Sequence, residues 1–166
     1  MKKILTALSF TMVATLGFVS TANAETWSPV STTDIVMANT VGSPLMISKG
    51  ITLLCDMNAT IDTDAAGNAQ VTSLILSDPG GICAMIVFVN FPYEMVGGDN
   101  DLVTIKNVDA QGVTGNCFGD LTGTLNQATG EITFVNAEIP SNPPDDNPCI
   151  GNGVVGTTPA MSYTLP

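Results

Sequence analysis

CDMNATIDTDAAGNAQVTSLILSDPGGIC, residues 55–83, decides the fold, because its outline returns as CFGDLTGTLNQATGEITFVNAEIPSNPPDDNPC, residues 117–149. Each copy opens on a cysteine and runs through a Thr-containing apolar segment (Met57, Ala59, Ile61; Leu121, Thr122, Leu125). Each then turns at a small-residue step (Ala66-Gly67; Ala128-Thr129-Gly130), makes a second run (residues 71–76; 131–139) and passes a Pro-containing loop to a second cysteine. Two apolar runs around a turn that tolerates left-handed backbone read as a hairpin. A hairpin used twice, each with cysteines at its ends, predicts two stapled units of one antiparallel β-protein.

Working outward, the rest of the chain has the same texture. Short β-branched runs alternate with turns at intervals of roughly ten residues, and no stretch sustains a helical period. Sixteen Gly and ten Pro fall between the runs as punctuation. The architecture expected is an all-β antiparallel sandwich or barrel with two disulfide-stapled hairpin units.

The N-terminus is set apart. Met1-Lys2-Lys3 is positively charged, residues 4–19 are apolar or small, and Ala22-Asn23-Ala24 offers the small residues of a cleavage site. Residues 1–24 therefore read as a cleaved secretory signal peptide; the apolar run is short for a bilayer span and no second one follows. Residues 25–39 read as an extended arm, with Ile35, Val36 and Met37 as a strand available for donation to a neighbouring subunit. A flexible linker through Pro44 joins it to a single β domain spanning 40–166.

Export and an even cysteine count agree, since an oxidising compartment lets thiols pair. Cys55, Cys83, Cys117 and Cys149 permit three pairings. The repeat favours Cys55 with Cys83 and Cys117 with Cys149, because this uses one geometry twice. Each bridge would close a loop of about 30 residues, stabilising by about 3–4 kcal/mol in the chain-entropy model. Metal binding by the four is not expected, with no close Cys-x-x-Cys pair and no histidine.

After signal removal the chain keeps two lysines, Lys49 and Lys106, against fifteen acidic residues, a formal charge of −13. Such a surface repels nucleic acid and anionic lipid, so neither is an expected partner. Asp62-Thr63-Asp64-Ala65-Ala66-Gly67 opens like a calcium loop, but Ser73 stands where a bidentate Glu belongs, so a hairpin turn is the reading taken. Without His or Arg there is no Ser-His-Asp triad, Cys-His dyad or Arg clamp, and the spacing of Glu94, Glu131, Glu138 and the aspartates suggests no glycosidase pair. No enzymatic activity and no cofactor are expected.

Residues 82–91 (ICAMIVFVNF) form the most hydrophobic part of the mature chain and read as a central strand buried on both faces. An uncharged run of this kind left at an edge would instead pair with another chain.

The order of these features resembles the PraB family, secreted bacterial proteins described as activators of alkane oxidation. The residues that carry the likeness are Cys55 opening a Thr-rich strand, Cys83 leading to Phe91-Pro92-Tyr93, Gly115-Asn116-Cys117-Phe118-Gly119 before Leu121-Thr122-Gly123-Thr124-Leu125, and Cys149-Ile150-Gly151. Tyr93 departs from the Trp expected after the proline, and Pro143-Pro144-Asp145-Asp146 makes a longer acidic loop. The resemblance brings no active site. It implies an extracellular or cell-surface protein of the biofilm matrix, linked to adhesion and growth on hydrophobic substrates. Self-assembly into fibres is the leading expectation. The alternative is a monomer that adsorbs at oil–water interfaces to promote alkane uptake or emulsification, with Met85, Phe88, Phe91 and Tyr93 as its apolar surface.

Overall fold

A computed structural model describes residues 25–144 and 147–166; the signal-peptide reading and Asp145-Asp146 lie outside the described residues. The chain is all β. In order come β1 (Thr26–Ser28), β2 (Ile35–Asn39), β3 (Leu45–Lys49), β4 (Ile51–Thr63), β5 (Ala69–Ser77), β6 (Val87–Val89) and β7 (Tyr93–Gly97). Then follow β8 (Leu102–Gln111), β9 (Asn116–Asn126), β10 (Glu131–Ile139), β11 (Ser141–Asn142), β12 (Cys149–Thr158) and β13 (Ser162–Thr164).

Every pairing is antiparallel, and the sheet closes on itself. The order β9-β10-β12-β2-β4-β5-β7-β8 returns to β9 through the β8–β9 ladder, giving an eight-stranded barrel, not a sandwich. A barrel of eight strands has an interior that side chains just fill, or that holds one small ligand. Two barrel positions are each built from two short strands. β2 and β3 both lie between β12 and β4, and β6 and β7 both lie along β8.

The repeated hairpins are β4–β5 and β9–β10. In β5 the buried residues Leu74 and Leu76 alternate with the outward Ser73, Ile75 and Ser77, the period of a half-buried strand. Cys55 is bonded to Cys83 and Cys117 to Cys149, with Cα–Cα distances of 5.7 and 6.1 Å.

Two expectations are corrected. Residues 25–39 are not a separate arm: β2 is an inner strand of its own chain's barrel, hydrogen-bonded to β12 on one side and β4 on the other. Ile35 and Met37 are fully buried; only Val36 of the three faces outward. Residues 82–91 are not a central strand. They break into a 3-10 turn, Cys83–Met85, and the three-residue edge strand β6, because the disulfide at Cys83 and the turn at Asn90 leave room for little more.

One end of the barrel is sealed. Trp27 and Tyr163, carried by the paired strands β1 and β13, pack with ring centroids 4.9 Å apart. The indole Nε1 donates to the Met95 carbonyl at 3.2 Å, and the Tyr163 hydroxyl lies 2.6 Å from the Gly98 carbonyl oxygen. Gly97 is required here, since a Cβ would fall 2.5 Å from the Tyr163 ring. Beneath this plug Ile35, Ile61, Val71, Met95, Ile105, Leu125 and Ile132 fill the interior.

Candidate hydrophobic site at the open end of the barrel

The opposite end is not filled. The inward row of β4 shows the change along one strand: Ile61, Ala59 and Cys55 are fully buried, Met57 is buried, and only beyond Cys55 does burial fall, with Leu53 half-buried and Ile51 49% exposed. Above Met57 the wall encloses a cavity of about 100 Å³ that opens at the barrel mouth. Leu45 and Ile47 of β3 line it, with Leu74 and Leu76 of β5, Leu121 of β9, and Phe134, Ala137 and Ile139 of β10. All come from inward positions of strands, so the cavity continues the core pattern without the side chains to fill it.

The mouth is widened by a break in the wall. β5 pairs with β7 only over residues 69–71, and β6 pairs with β8, so β5 beyond residue 71 has no strand bonded to it on that side among the described residues. The connection bearing Ile82, Met85 and Ile86 crosses this gap and lines the cavity. It is held by the Cys55–Cys83 bond and by Asp78, whose carboxylate accepts from the backbone N–H of Cys83 at 2.6 Å and of Gly80 at 2.9 Å.

Few polar side chains reach the wall, and the charged one is turned away. Lys49 lines the cavity with its stem, but its Nζ donates to Ser141 Oγ at 2.5 Å and to the Asn147 carbonyl at 2.6 Å. Long basic side chains commonly cover apolar surface in this way. Gly115 permits it, because a Cβ there would stand 2.8 Å from Lys49 Cε. Enclosed apolar cavities of this order accept apolar guests, and the same wall chemistry is offered here at an open mouth. This cavity is below the ~300–1,000 Å³ of sites that engulf whole drug-sized ligands, so it admits a small hydrocarbon or one segment of a longer chain.

The four apolar-surface candidates separate. Met85, half exposed, and Phe88, half-buried, line the cavity. Phe91 and Tyr93 do not: they stack with centroids 4.4 Å apart, and Tyr93 is buried, its hydroxyl donating to the Val89 carbonyl. Burial raises the Tyr93 phenol above its ordinary value, helped by the charge of Asp109. Tyr93 is therefore a structural residue of the β6–β7 step and not an exposed one.

The hairpin carboxylates serve the backbone. Asp64 accepts from the N–H groups of Ala66 and Asn68 and from Asn68 Nδ2, which lowers its pKa. Among the described residues no group of three or more His, Cys, Asp or Glu converges as metal ligands. No described helix is long and apolar enough to cross a membrane. The outward row of β4 (Thr52, Leu54, Asp56, Asn58, Thr60, Asp62) also lacks the apolar band of a lipid-spanning barrel.

A family model described as alkane oxidation protein activator, PraA/PraB-like, matches residues 1–165. No curated protein and no solved structure matches the chain.

Proposed function

Since the chain belongs to the PraA/PraB-like family of alkane oxidation protein activators, we propose that it is a non-enzymatic binding barrel that takes an apolar chain molecule into its open end. It supports alkane oxidation by presenting hydrocarbon, not by transforming it. The observation that carries this reading is the cavity above Met57, walled by Leu45, Leu74, Leu76 and Ile139 and open at the mouth. A wall of this kind binds by apolar burial, worth about 25 cal/mol per Å² removed from water.

The reading places the protein outside the cell or on its surface, in keeping with its leader-like first 24 residues and its two disulfides. A contribution to the biofilm matrix is compatible with it. Fibre assembly by strand donation has less support. The residues that would be donated are hydrogen-bonded inside their own barrel, and closure leaves few free strand edges.

Displacement of a fluorescent apolar probe, N-phenyl-1-naphthylamine, from the mature oxidised protein by n-dodecane tests the proposal. Saturable binding of one probe per chain, abolished in Leu76→Asp, is the expected result. Absence of saturable binding in the folded wild type would reject it.

A further inference from the structure

The cavity has a floor as well as a mouth. On the inward row of β10, Ile139 and Ala137 line it, Phe134 is the deepest residue to do so, and Ile132 beneath is fully buried in the filled core. On β9, Leu121 lines the cavity and Leu125 belongs to the core. The inward position between those two is Gly123, buried and paired with the core residue Val103.

The Phe134 ring occupies the room this glycine leaves. A Cβ at residue 123 would fall 2.9 Å from Phe134 Cε1 and 3.0 Å from its Cδ1. Gly123 is not in the left-handed region, so the glycine supplies space rather than conformation. On the other side, the β12 partner of Phe134 is Gly153, where a Cβ would meet Leu45 Cδ2 at 2.5 Å. At one level of the wall, two strands flanking β10 give up their side chains to admit a ring from β10 and a leucine from β3.

Burial to 5% exposure is ordinary for a core phenylalanine. What sets Phe134 apart is that its ring bounds unfilled space at the deep end of the cavity. Met57, the deepest lining residue of β4, is unbranched and adapts to a guest. A ring laid over backbone, with Ile132 below it, does not.

We infer that Phe134, seated over Gly123, is the depth stop of the cavity and sets the length of apolar chain that the barrel prefers. The inference rests on the apolar-chain reading of the site and adds the residue that makes it selective. A chain entering from the mouth gains about fourfold in affinity for each methylene it buries, until its end meets the ring. Further methylenes stay at the mouth, partly in water, and add less. Affinity against chain length therefore rises and then bends, and the bend measures the depth to Phe134.

The test is displacement of N-phenyl-1-naphthylamine from the mature oxidised protein by the 1-alkanols from butanol to dodecanol, whose hydroxyl stays at the wet mouth because burying it unbonded is costly. Wild type is compared with Phe134→Leu, which shortens the stop, and Gly123→Ala, which pushes the ring toward the mouth. The bend is expected to move by at least one carbon, to longer chains in Phe134→Leu and to shorter ones in Gly123→Ala. If Gly123→Ala fails to fold by circular dichroism, the shift in Phe134→Leu decides alone. A bend at the wild-type length in folded Phe134→Leu, or a uniform loss of affinity at every length, would overturn the depth stop while leaving the cavity as the binding site. A folded wild type that binds neither probe nor alkanol would remove the cavity reading itself, so the two fail separately.

Discussion

Ile51 and Ile61 stand on the same inward row of β4, yet Ile51 is 49% exposed and Ile61 fully buried. Along one strand the barrel passes from an open apolar mouth to a filled core. The two ends are built differently, so they should respond differently to substitution.

Filling the mouth should block binding at little cost to the fold. Ala110 lines the cavity and is 5% exposed. Ala110→Phe places a ring in that space and is expected to weaken probe binding at least about tenfold, with a stability change within the ~1–3 kcal/mol of overpacking. Urea denaturation and probe titration on the same sample separate the two effects.

Opening the sealed end should do the reverse. Trp27 is fully buried, stacked on Tyr163 and bonded to the Met95 carbonyl. Trp27→Ala is expected to cost about 3–5 kcal/mol. Chemical denaturation should show this loss, while the variant below its midpoint retains probe affinity.

How much of this was legible in the sequence depends on how local the signal is. The β4–β5 and β9–β10 hairpins were readable because Ala66-Gly67 and Gly130 mark turns between apolar runs. Closure of the barrel was not, because it depends on the β8–β9 ladder joining the two units, which no turn signal encodes. Residues 82–91 misled, since a continuous apolar run looks the same whether it meets a core or a cavity mouth. Ile35 and Met37 misled for a related reason: their alternation says that one face is buried but not in which sheet. Val113, an apolar residue in a Gly-flanked turn, was the available hint of the open mouth.

The disulfides both lie toward the open end and should act there. Each closes about 30 residues, so removing one should cost about 3–4 kcal/mol and lower Tm by about 10 °C. The Cys55→Ser/Cys83→Ser variant also frees the segment carrying Ile82 and Met85. It is expected to lose more probe affinity than Cys117→Ser/Cys149→Ser at equal temperature margin below Tm.

Stability should fall at both extremes of pH. Hydrogen bonds from Asn68 hold Asp64, and a bond from Lys106 at 2.7 Å holds Asp120, below the ordinary value of 3.8. Lowered carboxylates stabilise above their unfolded pKa, and this contribution is lost as pH falls through the folded one. Burial raises Tyr93 and Tyr163 above 10.0, so their contribution is complete below that value and is lost as pH rises through the folded pKa. Thermal midpoints should hold level near neutrality, fall below pH ~4 and fall again above ~10; Tyr163→Phe should flatten the alkaline limb.

Deleting residues 25–39 should unfold the protein, because β2 bridges β12 and β4. Circular dichroism and gel filtration of the truncated chain check this. A folded, monomeric truncation would show that the strand is dispensable to its own barrel.

The most direct measurement of the central claim is a methyl-resolved NMR titration of the mature, oxidised protein with n-hexane. Binding at the open end requires saturable shifts at Leu45, Leu74, Leu76 and Ile139, with Ile35 and Ile61 beneath the plug unmoved. Shifts confined to outer-wall residues such as Val135 and Ile75, or none at all, would contradict it.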